Sequence, residues 1–488
     1  MTISLRSPFN IPLLPAIAAY TQHALMRQPS DWLPKSIFGT DGIRGRVGDF
    51  LNAPLAHQIG YWTGCVWQAH GAQGSPVILG HDSRNSSGML AEAFSRGLTA
   101  AGLDVWYLGL CSTPAVAYLT QAVGATGGIM ITASHNPPED NGIKFFSTDG
   151  CKLAPALQRE IEQGLRGELN LGYYTVAPDF GKRYFRPSLL KQYTDSLQQS
   201  LPAEVDLSGL RIVVDVAWGA AVYLAQTAFQ NLGAEVIYLH DQPDGDRINV
   251  NCGATHLTPL KEAVQGYQAD LGFAFDGDAD RIMAVDGLGR ALDGDYILYL
   301  LGKQLLESGQ LPNHTIVSTV MANIGFERAW NQLGGTLLRT PVGDQHVYAA
   351  MMEHQAVLGG EPSGHILCRH YGVEGDGLLT ALHLAAFVKQ SGRSLAELRD
   401  HSFYPYPQCL KNVRITNQRV AASWQTCDPL QKLIVDAEAN LGSHGRVLIR
   451  ESGTEPLLRI MVETAQADLA HYWGEQLAQV AETYLSAK

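Results

Sequence analysis

Gly128-Ile129-Met130-Ile131-Thr132, running directly into Ala133-Ser134-His135-Asn136-Pro137, is the stretch on which the fold turns. Its first five residues are mostly apolar and do not alternate with polar ones, as in a strand covered on both faces, and Asn136 and Pro137 are turn formers. Similar runs recur at Val77–Leu79, Leu210–Asp215, Leu271–Asp276 and Thr315–Val320. Longer helical stretches, among them Met89–Ala101, Val222–Leu232 and Ala381–Lys389, lie between them. Buried strands alternating with helices predict an α/β fold. The tail reads differently. Arg446–Arg450, a turn at Glu451–Pro456, Leu458–Glu463 and a helix from Asp468 to about Leu485 describe an α+β unit. Boundaries near residues 186, 290 and 405 divide the chain into 1–37, 38–186, 187–290, 291–405 and 406–488. Within the first segment, an amphipathic helix is expected around Ala16–Met26. Ile11–Tyr20 is broken by prolines and preceded only by Arg6, which does not match a signal peptide.

Composition narrows the function. At 488 residues the chain is too long for one core and should hold about three or four domains. Hydrophobic residues at 45% and charged residues at 17% fit a folded globular protein. A net charge of −12 argues against a nucleic-acid partner, which needs a cationic footprint, yet a few local arginines still suffice to bind one phosphate. Seven scattered cysteines without a CxxC pair predict reduced thiols and a cytoplasmic location. No apolar run approaches the roughly 18 residues of a membrane span, so no membrane partner is expected.

Five segments carry candidate chemistry. Ser134 should sit on a loop at the C-terminal end of its strand, where α/β folds place their sites. A serine hydroxyl needs a base or metal to activate it, and His135 and Lys144 are near in sequence. An ordinary turn explains a bare Ser-His pair better, and no GxSxG elbow is present. Asp276-Gly277-Asp278-Ala279-Asp280-Arg281 places three carboxylates at alternate positions after an apolar strand, a charge density that a cation neutralises. It is no EF-hand, since Arg281 and Gly287 occupy the positions of that loop's Gly and Glu. A phosphatase with Asp276 as nucleophile is a rival reading of the same Asp-x-Asp. Gly359-Gly360-Glu361-Pro362-Ser363-Gly364-His365 offers polar groups at two-residue spacing, suited to sugar hydroxyls. Arg450-Glu451-Ser452-Gly453-Thr454-Glu455-Pro456 with Arg459 could cradle a phosphate, or could be a hairpin turn with strand-edge arginines. Phe38-Gly39-Thr40-Asp41-Gly42-Ile43-Arg44-Gly45 reads as a glycine-rich loop bringing Arg44 to an anion.

Together and in this order, the five segments resemble the α-D-phosphohexomutase superfamily. The Phe38–Gly45 and Ser134 segments look most like its bacterial branch acting on glucosamine phosphates. The resemblance runs from about residue 38 to the C-terminus. It implies three related α/β domains with mixed sheets and a C-terminal α+β domain around a central cleft. It implies a phosphoserine at Ser134 and Mg²⁺ bound by Asp276, Asp278, Asp280 and the serine phosphate. It places sugar recognition at Glu361, Ser363 and His365, and phosphate binding at Arg450, Ser452, Gly453, Thr454 and Arg459. Arg44, His135, Lys144 and Arg281 match catalytic basic positions.

The implied reaction isomerises a sugar monophosphate through a sugar 1,6-bisphosphate. The expected partners are small sugar phosphates, with glucosamine 6-phosphate and 1-phosphate first and mannose or glucose phosphates as the alternative. A non-catalytic sugar-phosphate sensor fits poorly with a retained serine and three aspartates. Pro362, Gln345 and Trp218 depart from the family pattern and bear on sugar preference. The sequence carries no signal for oligomeric state.

Overall fold

The computed structural model describes residues 33–34, 36–72, 74–169, 179–202, 205–415, 422–451 and 457–485. The helix expected around Ala16–Met26 lies outside them. The chain divides into two compact units, residues 1–193 with 244–248, and 194–243 with 249–488.

The first unit is built on strands β1 (Ile43–Arg46), β2 (Val77–His81), β3 (Val105–Leu110), β4 (Gly127–Ile131), β5 (Asp140–Phe146) and β6 (Arg183–Phe185), in the order β1-β5-β4-β2-β3-β6. Strands β4, β2, β3 and β6 are parallel, whereas β5 runs antiparallel to both β4 and β1. Every residue of β4 is buried, as its unbroken apolar run requires. Ser134 sits on a loop as expected, but that loop ends at Asp140–Phe146, a strand that the sequence reading did not include. Two features hide it in the sequence. Asn141 is buried and satisfied by donating to the Ser86 and Ser87 hydroxyls at 2.8 and 2.9 Å. Gly142 stands where a Cβ would lie 2.6 Å from Thr132 O and 2.7 Å from Ile43 O, so only glycine lets the three strands close up. Arg44 is likewise on a strand, opposite Gly142, and not on a loop.

The second unit holds three sheets. The first contains β7 (Arg211–Asp215), β8 (Glu235–Leu239), β9 (Leu271–Phe275), β10 (Ile282–Asp286) and β11 (Ala291–Leu292), ordered β11-β10-β9-β7-β8. The second contains β12 (Thr315–Thr319), β13 (Thr336–Thr340), β14 (Leu358–Gly360) and β15 (Ile366–Cys368), ordered β13-β12-β14-β15. The third contains β16 (Gln408–Arg414), β17 (Gly445–Glu451) and β18 (Leu457–Thr464), all antiparallel and ordered β16-β18-β17. Helices Asp428–Leu441 and Ala467–Leu485 cover this last sheet, with Leu430, Leu441, Leu458, Ile460 and Leu477 in a common core. It is the expected α+β unit. The helix expected over Val222–Leu232 is shorter, Leu224–Phe229, because Gln230 leaves the helical conformation with ψ 137°.

One arrangement recurs. In each of the three mixed sheets, a strand with a parallel neighbour is followed directly by an antiparallel one: β4–β5, β9–β10 and β14–β15. The Ser134 segment, the three aspartates and Glu361–His365 are the connections within those pairs. The Arg450–Arg459 segment joins the two strands of the fourth antiparallel pair, β17–β18. No helix among the described residues is long and apolar enough to cross a membrane, and all seven cysteines are free.

Candidate active site

In the first unit, Ser134 is 1% exposed and has φ +53°, a conformation a non-glycine residue adopts only when its surroundings impose it. Those surroundings are a polar network. The Ser134 amide donates to Thr132 Oγ1 at 2.9 Å, and that hydroxyl donates to Asp82 Oδ2 at 2.8 Å. Arg84 follows β2 and has a fully buried side chain. Its Nε donates to Asp82 Oδ2 at 2.8 Å, one terminal nitrogen to Ser134 O and Asn136 O, each at 2.8 Å, and the other to Pro137 O and to Asp140 O at 2.9 Å. The guanidinium therefore gathers the carbonyls of the whole serine loop. Sequence reasoning missed Arg84 and Asp82. The available signal was a polar His81-Asp82-Ser83-Arg84 directly after an apolar strand.

His135 Nδ1 lies 3.3 Å from Ser134 Oγ, as its adjacency suggested. Lys144 is on β5 and buried, with Nζ 3.4 Å from Asp41 Oδ2. Asp41 also pairs with Arg44 and, at 2.5 Å, with Lys152. One carboxylate thus organises three cations beside the serine strand. Asp41 is a third residue that the sequence reading gave no role.

In the second unit, Asp276, Asp278 and Asp280 are 0%, 0% and 4% exposed, with carboxylate oxygens all within 4.8 Å of one another. A left-handed Ala279 (φ +58°) and a 3.0 Å hydrogen bond from its amide to Asp276 O turn the chain so that the side chains converge. Three buried carboxylates at this spacing repel strongly, and an all-oxygen donor set suits a hard divalent cation. The residues present therefore fit a metal. Arg281 alone does not balance them. Burial acts to lower its pKa, but Asp280, Asp276, Glu361 and Asp278 outweigh it and raise it.

The sugar segment packs directly on this loop. Ile282 N donates to Gly364 O at 3.0 Å, Arg281 and His365 form a bridge, and a Cβ on Gly364 would lie 2.0 Å from Ile282 O. Glu361 accepts from the Gly343 amide at 3.0 Å, and Ser363 is exposed. His365 is not presented as the resemblance implied. It is 3% exposed, with Nδ1 3.9 Å from Asp280 and Nε2 3.3 Å from Glu374 and 3.5 Å from Asp344. Burial acts to lower its pKa, yet contacts with Asp280 and Glu374 and the charge of Asp344 raise it well above the ordinary histidine value. The ring faces the carboxylates of Asp280, Glu374 and Asp344.

Pro362 is the second residue of a turn closed by Gly364 N donating to Glu361 O at 2.9 Å, a position that favours proline. Gln345 is exposed at the start of helix Asp344–Glu353. Trp218 has φ +56°, a left-handed conformation that favours glycine or asparagine, so the departure is one the backbone does not explain.

Arg450 and Arg459 face each other across β17 and β18. Burial and then the like charge of Arg459 lower the Arg450 pKa, against the charge of Glu361. Directly opposed like charges destabilise a sheet unless an anion joins them. Arg459 Nε is buried without a hydrogen-bond partner. Ser452, Gly453 and Thr454 lie outside the described residues.

Four family models match, described as phosphoglucomutase/phosphomannomutase α/β/α domain I over residues 35–170, domain II over 191–289, domain III over 293–406, and the C-terminal domain over 410–480. The chain is 60% identical over 450 residues to the phosphoglucosamine mutase of Trichormus variabilis, covering 92% of this chain and 91% of that one. It is 57% identical over 474 residues to the phosphoglucosamine mutase of Picosynechococcus sp., covering 97% and 98%. Among solved structures, a phosphoglucomutase/phosphomannomutase family protein of Burkholderia thailandensis is similar with a TM-score of 0.78 at 25% identity, covering 93% of this chain and 98% of that one. The Aspergillus fumigatus N-acetylphosphoglucosamine mutase, solved with GlcNAc-6P and magnesium, shares the fold with a TM-score of 0.67 at 18% identity, covering 96% and 99%. A serine loop, an acidic loop and a glutamate loop on equivalent hairpins, matched domain by domain along the chain, make it a member of the phosphoglucomutase/phosphomannomutase family within the α-D-phosphohexomutase superfamily.

Proposed function

We propose that the chain is a phosphoglucosamine mutase that interconverts glucosamine 6-phosphate and glucosamine 1-phosphate. The observation that carries the sugar assignment is 60% identity to a relative of that name over 92% of the chain. Phosphorylated Ser134 donates to the free hydroxyl of the bound monophosphate. The Oγ–P bond breaks as the new O–P bond forms; His135 takes the hydroxyl proton and the Lys144 ammonium gives one to the departing Ser134 Oγ, and both proton transfers reverse when the other phosphoryl group returns. The resulting 1,6-bisphosphate turns over and returns its other phosphoryl group to Ser134, regenerating the carrier.

Phosphoryl transfer asks mainly for positioning and charge neutralisation. Arg44, Lys144 and Arg281 supply positive charge. Glu361 and Ser363 read sugar hydroxyls, while Arg450 and Arg459, with Ser452, Gly453 and Thr454, hold the phosphate that is not transferring. Asp276, Asp278 and Asp280 hold a divalent cation, taken as Mg²⁺. When bound, that ion stabilises the charge of the transferring group.

Pro362 brings no side-chain amide to the sugar loop, so discrimination should be modest. The expected glucosamine preference over glucose is one or two hydrogen bonds of about 1 kcal/mol each. Comparing kcat/KM for glucosamine, mannose and glucose phosphates tests this. A tenfold advantage for mannose or glucose phosphate, about 1.4 kcal/mol in transition-state binding, overturns the sugar assignment. Phosphate recovered as a labile acyl phosphate on Asp276, with none on Ser134, overturns the mutase reading.

A further inference from the structure

Asp215, His240 and Cys252 form a second group with the composition of metal ligands, their donor atoms within 4.8 Å of one another. Its hydrogen bonding says otherwise. Asp215 ends β7, is fully buried and already receives three N–H donors. Oδ1 accepts from the Ala217 amide at 2.9 Å and from His240 Nδ1 at 2.8 Å, and Oδ2 accepts from the Gly253 amide at 2.9 Å. Burial and then the charge of Asp215 push the Cys252 thiol up to about 12. The cluster is a clamp on three chain segments.

What the clamp holds is the acidic loop. Ala217 and Trp218 are consecutive left-handed residues, at φ +54° and +56°, neither of them glycine. Such a pair persists only where contacts over-determine it. Asp215 receives the amide of the first, and the Trp218 amide donates to His240 O at 3.0 Å. The turn they form delivers the Ala220 amide to Gly277 O at 2.8 Å. Gly219 lies so close that a Cβ there would stand 2.4 Å from Gly277 O. Gly277 separates Asp276 from Asp278.

We propose that Asp215 is a positioning residue for the metal centre, which through the Ala217–Ala220 turn fixes the backbone of Gly277 and so the convergence of Asp276, Asp278 and Asp280. The inference rests on the reading of those aspartates as metal ligands. Groups that orient a ligand from behind typically alter metal affinity by roughly 10- to 100-fold when removed. Asp215→Asn keeps one acceptor oxygen and turns an NH₂ toward a backbone amide. Gly219→Ala perturbs the same contact from the other side.

Mg²⁺ and Mn²⁺ are titrated calorimetrically into the dephosphorylated full-length protein, with glucosamine 6-phosphate binding measured in parallel. Wild type should bind the metal and Asp278→Asn should not. Asp215→Asn and Gly219→Ala should bind it with Kd raised roughly 10- to 100-fold, with sugar-phosphate Kd changed by less than about twofold. Equal binding by wild type and Asp278→Asn would remove the metal site itself, and the inference with it. Metal affinity at the wild-type level in folded Asp215→Asn overturns the positioning role while leaving the site standing. If Asp215→Asn does not fold, Gly219→Ala decides by the same measure. Collapse of both, or equal loss of metal and sugar-phosphate binding, assigns Asp215 a purely structural role and also overturns the inference.

Discussion

Replacing Arg84 by lysine isolates what a guanidinium does for the serine loop. Arg84 makes five hydrogen bonds, to Asp82 Oδ2 and to the carbonyls of Ser134, Asn136, Pro137 and Asp140. An ammonium keeps the charge but has three donors at one point, so at least two of the five acceptors lose their partner. Hydrogen bonds to a charged donor contribute about 1.5 kcal/mol or more each, which makes the loss about 3 kcal/mol. The Asp82 carboxylate stays satisfied by the Arg84 amide, Ser87 Oγ and Thr132 Oγ1, so the unit should still fold. The loss should concentrate in the Ser134–Asp140 segment. Amide hydrogen exchange followed by mass spectrometry should show that segment opening on the order of 100-fold more readily, as about 3 kcal/mol implies. Transfer from phospho-Ser134 should slow by roughly 100-fold, because a displacement of about 1 Å has that effect on an aligned reaction. Wild-type exchange in this segment together with wild-type transfer would refute the argument that Arg84 holds the serine in its left-handed conformation.

Ser134→Ala should abolish steady turnover without altering the fold, since the phosphate carrier is gone; purified variant that turns over at the wild-type rate contradicts the assignment. Asp278→Asn should lower activity by about 100-fold, on the scale of losing one strong electrostatic contributor. Chelation should silence the wild type until Mg²⁺ is restored, and activity persisting in protein shown to be metal-free would rule out the metal role. His383 should make stability fall in mild acid. Its ring is 8% exposed, stacked on Tyr371 with centroids 4.4 Å apart, and Nε2 lies 2.9 Å from Ser200 Oγ. Burial holds its pKa down to about 4, against 6.5 in the unfolded chain. As pH falls below 6.5, the unfolded state takes up a proton that the folded state refuses until about pH 4. The contribution is therefore complete above pH 6.5 and is lost on acidification, by about 3 kcal/mol in all. Denaturation midpoints of wild type and His383→Gln at pH 7 and pH 4.5 should diverge accordingly; parallel curves would exclude the effect.

The sequence alone determined everything whose cause lies in neighbouring residues. Gly128–Thr132 and Leu271–Asp276 read as buried strands because their apolar runs do not alternate. The α/β pattern and the separate α+β tail follow from the same periodicities. Ser134, the aspartates at 276, 278 and 280, and Glu361 stood out because each group of polar side chains is contiguous and follows a strand. What the tertiary structure alone decided depends on partners distant in sequence or lacking side chains. Arg84 binds four backbone carbonyls more than 45 residues away, and a carbonyl leaves no mark in a sequence. Strand β5 was hidden because the side-chain amide of its buried Asn141 finds its acceptors in Ser86 and Ser87, more than 50 residues away, and its Gly142 is required by the approach of Ile43 and Thr132. His365 sat in a motif suited to sugar hydroxyls, yet the chain folds Asp280, Asp344 and Glu374 around it, and a buried ring surrounded by carboxylates is held to them by charge.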